Sequence, residues 1–248
     1  MEAGFERLIS VWKAYYFTIP LLYVCISYAL HQLVKAKKSL PFRRVFITYI
    51  VSMLLLFFNS DITHSFFRKK WTSTVFWTEI ETTNAIFELI EALTFYYIFY
   101  VLSNSTKKKT TLKVISFLQV VYFIYQFANL FRAHTFREFR FLGGTFSTIT
   151  LLIITFFILS HFWEAYRYKL DTSSISPFFL CLFGYTILSA PIFAILDGFS
   201  GKNLTLAYFA YSVHYFWLSL LCLTIGFYAK TGDIFVSKPF RIITSSSS

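Results

Sequence analysis

Residues Thr83–Leu102 read TNAIFELIEALTFYYIFYVL, and the way this stretch mixes apolar and acidic residues decides the fold. A helix rising about 1.5 Å per residue needs about 20 apolar residues to cross a hydrocarbon core about 30 Å thick. Apart from Asn84, Glu88 and Glu91, every position here is apolar, aromatic or Thr. A helix on the surface of a soluble domain would carry a broad polar face instead. Glu81, Asn84, Glu88 and Glu91 follow a 3-4-3 spacing, which keeps side chains on one helical face. Ionisable residues at membrane depth cost about 2.5–3.5 kcal/mol each on insertion and turn toward protein or water. The stretch is predicted to be a membrane helix whose acidic stripe faces inward.

Six further apolar runs flank it: Trp12–Val34, Val45–His64, Leu112–Phe131, Phe141–Trp163, Pro177–Asp197 and Thr205–Ala229. The chain of 248 residues is 56% hydrophobic and 14% charged, against about 25% charged in a soluble domain. The expected fold is all-α: a polytopic membrane protein with seven transmembrane helices in a single domain over residues 1–244, followed by a flexible serine tail, 245–248. In the second run the apolar core Val45–Phe58 is too short to cross alone, so Asn59, Ser60 and Asp61 are expected at membrane depth or its edge. Pro20 is expected to kink the first helix, because proline removes a backbone donor. Glu2 and Glu6 beside Arg7 do not resemble the basic start of a secretory signal. Cys25, Cys181 and Cys222 all fall inside apolar runs, which argues for free buried thiols over a disulfide framework.

The formal charge of +11 resides in the loops. Fourteen of the 23 Lys and Arg lie after the first, third and fifth spans and after the seventh: Lys35, Lys37, Lys38, Arg43, Arg44, Lys107, Lys108, Lys109, Lys113, Arg167, Lys169, Lys230, Lys238 and Arg241. The positive-inside rule then puts the N-terminus outside and the C-terminus in the cytoplasm. This basic balance suits membrane lipids and a cytoplasmic protein partner and is not taken as a nucleic-acid signal.

Polar residues at depth recur on four spans. Gln119, Tyr122, Gln126 and Asn129 share one face of the fourth. Asp61 and His64 stand a turn apart at the outer end of the second, and His214 lies inside the seventh among Tyr208, Tyr211 and Tyr215. Together they predict an outward-facing acidic and polar cavity lined by Asn84, Glu88, Glu91, Gln126, Asp61, His64, Tyr211 and His214. Carboxylates among tyrosines would suit a small cation or amine, with His214 as a proton-linked switch. The same residues could instead be interhelical hydrogen-bond glue. His161 and Glu164 form an i,i+3 pair that suits either a metal or a solvated helix end.

Asn84–Ala85–Ile86–Phe87–Glu88 and Ser176–Pro177–Phe178–Phe179 resemble elements of small multi-pass membrane proteins of the Bacteroidota, a resemblance that implies the architecture, a bacterial inner (plasma) membrane as the location, and no particular activity. Asn59–Ser60–Asp61 is similar to a motif of lysoplasmalogenase-like membrane hydrolases, although Ala190 follows Ser189 where those carry Asp. The zinc hydrolases of the ceramidase and progestin-receptor type pair two histidines in their last span, and here Leu218 stands four residues after His214. Seven helices also resemble the rhodopsin topology, yet Leu204–Tyr228 holds no Schiff-base lysine. There is no phosphate loop, HExxH, CxxC or GxSxG. The expectation is a non-enzymatic receptor-like sensor of a small ligand or ion, with no cofactor. A metal-dependent lipid hydrolase, with zinc on Asp61, His64, Glu88, Glu91 or His214, is one alternative. An oligomeric pore or effector, such as an accessory of an antiviral system, is another.

Overall fold

The computed structural model describes the backbone of residues 2–66, 74–103, 105–130, 136–167, 177–199 and 204–231. Side chains are described for residues 4, 6–61, 82–103, 105–129, 148–163, 177–192, 205–206 and 208–231. The described residues form helices without strands: α1 (Glu2–Ala14), α2 (Thr18–Lys35), α3 (Arg43–Phe66), α4 (Thr74–Leu102), α5 (Thr106–Leu130), α6 (Phe136–Arg167), α7 (Pro177–Phe199) and α8 (Leu204–Thr231). Four segments are long and apolar enough to cross a membrane: Arg43–Asp61, Thr82–Leu102, Thr106–Asn129 and Tyr208–Thr231. A fifth is added if the bent pair α1 and α2 is one span. The described apolar parts of α6 and α7, Thr148–Trp163 and Pro177–Ile192, are shorter. The chain is a helical, membrane-type protein.

The expected first helix is broken. α1 and α2 meet at 95°, and Tyr16 and Phe17 between them have left-handed φ of 51° and 57°. Phe17 N–H donates to the Trp12 carbonyl at 2.8 Å and Tyr16 N–H to that of Lys13 at 3.0 Å. That pair of bonds is a Schellman motif, which ends a helix and normally places glycine where Tyr16 stands. Pro20 does not kink a continuous helix. It occupies the first turn of α2, where its missing N–H costs nothing, and its ring forbids helical passage through the Tyr16 carbonyl four residues back. The break therefore falls one turn upstream of the proline.

At the other end of α2, Arg43 reaches back to hold the orphan carbonyls of Leu33 at 2.8 Å and Val34 at 3.2 Å. Tyr228 on α8 donates to the Pro41 carbonyl, tying this turn to the end of α8. α2, α8, α7, α6, α4 and α3 close a six-membered ring by successive packing. α5 stacks outside on α4 and α6, and α1 crosses α3.

Close approach needs small residues. A Cβ on Gly184 would stand 2.4 Å from the Trp217 ring between α7 and α8. One on Gly226 would stand 2.5 Å from the Tyr28 ring and 3.3 Å from the Ala29 backbone between α2 and α8. The ring interior is filled by Phe46 and Met53 of α3, Phe95 of α4, Phe178 of α7 and Leu221 of α8, all fully buried. Aromatic edges interlock there, as with Phe46 against Phe178 and Tyr228. Phe117 and Ile124 of α5 and Phe156 of α6 point outward, as an apolar surface facing lipid does. Cys25 and Cys222 are buried free thiols and Cys181 is half-buried.

Candidate functional site

Two groups of polar side chains touch, one inside the ring and one where α1 packs on α3. The first centres on Glu91, which is 3% exposed. Its Oε1 accepts hydrogen bonds from Tyr49 of α3 at 3.1 Å and Tyr185 of α7 at 2.8 Å. Two hydroxyl donors on one buried carboxyl oxygen offset much of the cost of removing it from water. Glu88, one turn before on α4, is half-buried and within electrostatic range of Tyr185. The Tyr185 ring lies 5.2 Å from that of His214 on α8. His214 Nδ1 and Ser189 Oγ of α7 are hydrogen-bonded at 2.6 Å.

The second group gathers where α1 folds back across α3. Asp61 Oδ2 accepts from Tyr23 Oη at 2.9 Å and from Trp12 Nε1 at 3.4 Å. The 95° bend makes this possible, since a straight helix would carry Trp12 away from α3. Tyr15, in the bend, sets its ring edge-on against Tyr208 at 5.1 Å, Tyr215 at 5.6 Å and Tyr211 at 6.4 Å. Tyr211 stacks on Tyr215 at 6.3 Å, and Phe57 meets Tyr215 from α3 at 5.4 Å. Tyr215 is in electrostatic range of Asp61, Tyr23, Tyr15 and Tyr211. Its ring also lies 5.3 Å from His214, so one polar and aromatic line runs from Asp61 through Tyr215, His214 and Tyr185 to Glu91.

Of the residues expected at the site, Asp61, His214 and Glu91 lie on this line, Tyr211 stacks beside it on Tyr215, and Glu88 stands within electrostatic range of Tyr185. Asn84 is half-buried on α4. Gln126 departs from expectation: it is 2% exposed on α5, bonded to Tyr122 at 3.4 Å, and α5 packs on α4 and α6, outside the ring. Its helix-mate Gln119 likewise serves packing, donating to Thr150 of α6 at 2.5 Å. His64 lies outside the residues whose side chains are described, as does Glu164. His161 lays its ring 4.7 Å from Phe179. Among the described residues, no group of three or more His, Cys, Asp or Glu side chains could hold a metal ion.

Trp12, Tyr15, Tyr23, Tyr49 and Tyr185 were not expected at the site. Their signal was a hydroxyl or indole N–H inside or beside an apolar run, a group that finds a partner once buried. Comparison with protein-family models, curated proteins and solved structures finds no match for this chain.

Proposed function

We propose that this chain is a seven-span membrane protein that binds a small organic cation or amine at its outer end, between α1, α2, α3 and α8. The observation that carries this reading is the Asp61 carboxyl group, bonded to Trp12 and Tyr23 and in electrostatic range of Tyr215, whose ring meets those of Tyr15 and Tyr211. A carboxylate among electron-rich rings offers a cation both charge pairing and ring-face attraction, the latter contributing about 0.5–2 kcal/mol per ring. Tyr215 abuts His214, and His214 abuts Tyr185, so a contiguous row of rings leads from the Asp61 site toward the Glu91 cluster. The excess of Lys and Arg at the opposite end supports an N-terminus outside and a C-terminus in the cytoplasm of a bacterial plasma membrane, with a cytoplasmic protein as the receiving partner.

The test is thermal unfolding of the detergent-purified protein with increasing tetramethylammonium or choline. A saturable rise in Tm for the native chain, lost in Asp61→Asn, is the expected result. No rise, or an equal rise in Asp61→Asn, refutes the site.

A second reading rests on the Ser189–His214 pair, whose 2.6 Å contact is the separation of a nucleophile from its base. In that reading the chain hydrolyses a membrane lipid. Turnover of lysolipid that disappears in Ser189→Ala would establish it, and absence of turnover in the native protein removes it.

A further inference from the structure

At the end of the bundle opposite Asp61, the turn between α4 and α5 collects positive charge in an unusual way. Lys109 and Lys113, one helical turn apart on α5, both place their ammonium groups 5.5 Å from the centroid of the same ring, Tyr100 of α4. Like charges at i,i+4 repel, and here both are drawn to one point on a neighbouring helix. Each gains ring attraction, and an anion between or above them would offset their mutual repulsion. The chain itself supplies none nearby in sequence, since no Asp or Glu occurs between Glu91 and Glu138. Lys107 and Lys108 stand on the turn just before, at the start of α5, where Ser105 Oγ accepts from the Lys108 N–H at 3.4 Å.

The same two helices also expose apolar side chains within about two turns of Tyr100 and Lys113 along the chain. Tyr97 and Val101 of α4 and Val114, Phe117 and Leu118 of α5 are all exposed apolar side chains, 45–67% accessible. α5 lies outside the helical ring, so this strip faces lipid. A dianionic or monoanionic group on the lysines with apolar chains descending over the strip is the outline of a phospholipid, and a free phosphate would leave the strip unused.

We infer that Lys109, Lys113 and Tyr100 form a binding site for the phosphate headgroup of an anionic phospholipid, whose acyl chains lie along the exposed face of α4 and α5. This site is independent of the cation site at Asp61 and stands or falls without it.

The test uses the full chain in a neutral detergent, titrated with phosphatidylglycerol or phosphatidylcholine and read by native mass spectrometry as the fraction of protein carrying lipid. Phosphatidylglycerol should be retained in preference to phosphatidylcholine. Lys109→Gln/Lys113→Gln should weaken that retention about tenfold or more, from about 1 kcal/mol per basic residue near an anionic surface. Lys35→Gln/Lys230→Gln, which removes two charges elsewhere, should leave it within about twofold. Equal losses in the two double variants would show diffuse attraction and overturn the site, as would equal retention of the two lipids. Inorganic phosphate competing with the lipid at millimolar concentration would overturn the assignment to a lipid. Lys35, Lys113 and Lys230 are exposed and Lys109 is half-buried, and the Tm of each variant confirms that it is folded.

Discussion

The Tyr185 hydroxyl of α7 and Glu91 of α4 are joined at 2.8 Å across the centre of the helical ring, on the same carboxyl oxygen that Tyr49 reaches from α3. One acidic side chain thus fastens three helices at once. In Tyr185→Phe the ring still fills its space, but one donor to a buried oxygen is gone, at a cost of about 1–3 kcal/mol. Glu91→Gln retains a carbonyl acceptor for both tyrosines and should cost less than Tyr185→Phe. Denaturant titration of the purified protein orders the two variants; the reverse order would mean that the charge of Glu91 matters more than its bonds.

The same arrangement separates the two carboxylates by role. Both described bonds to Glu91 come from buried tyrosines, whereas Asp61 is half-buried and its partners Trp12 and Tyr23 are half-buried too. Glu91→Gln should therefore leave the tetramethylammonium-induced rise in Tm intact, on a lower baseline, while Asp61→Asn removes the rise. Loss of the rise in both would place the cation deeper, along the line through His214.

How much of this could be read beforehand follows from what sets each feature. Helix positions were legible because the bilayer fixes the length of an apolar run, and α3 to α8 enclose or closely match the stretches read from the sequence. The inward acidic stripe was legible at Glu91 because 3-4 spacing puts residues on one face. The break between α1 and α2 was not, because its Schellman turn carries tyrosine where glycine would have announced it. Trp12 and Asp61 are 49 residues apart, and no local pattern signals that a helix folds back to join them. Gln126 misled because a polar stripe on a helix indicates burial without saying which neighbour buries it.

That Schellman turn yields its own test. A non-glycine residue held in the left-handed region costs about 1–2 kcal/mol, and the Tyr16 ring is 58% exposed, so little packing offsets the strain. Tyr16→Gly should leave stability unchanged or raise it by up to about 1 kcal/mol. Tyr16→Val, branched at Cβ, should lower it and loosen the Trp12–Asp61 contact. Equal effects of the two variants would show that the backbone there is unstrained.

The contact of α7 with α8 sets the position of both His214 partners, since Tyr185 and Ser189 flank it on α7. Gly184 permits that contact: a Cβ there meets three atoms of the Trp217 ring at 2.4–2.7 Å. The indole is large and half-buried, so it cannot swing aside as a flexible chain end would. Gly184→Ala should destabilise the bundle by about 1–3 kcal/mol through overpacking. Trp217→Leu in the same chain removes the obstructing ring, and the double variant should recover part of the loss relative to the sum of the two single variants. Strict additivity would mean that α7 and α8 separate elsewhere along their length, and that Gly184 is not what lets Tyr185 and Ser189 reach His214.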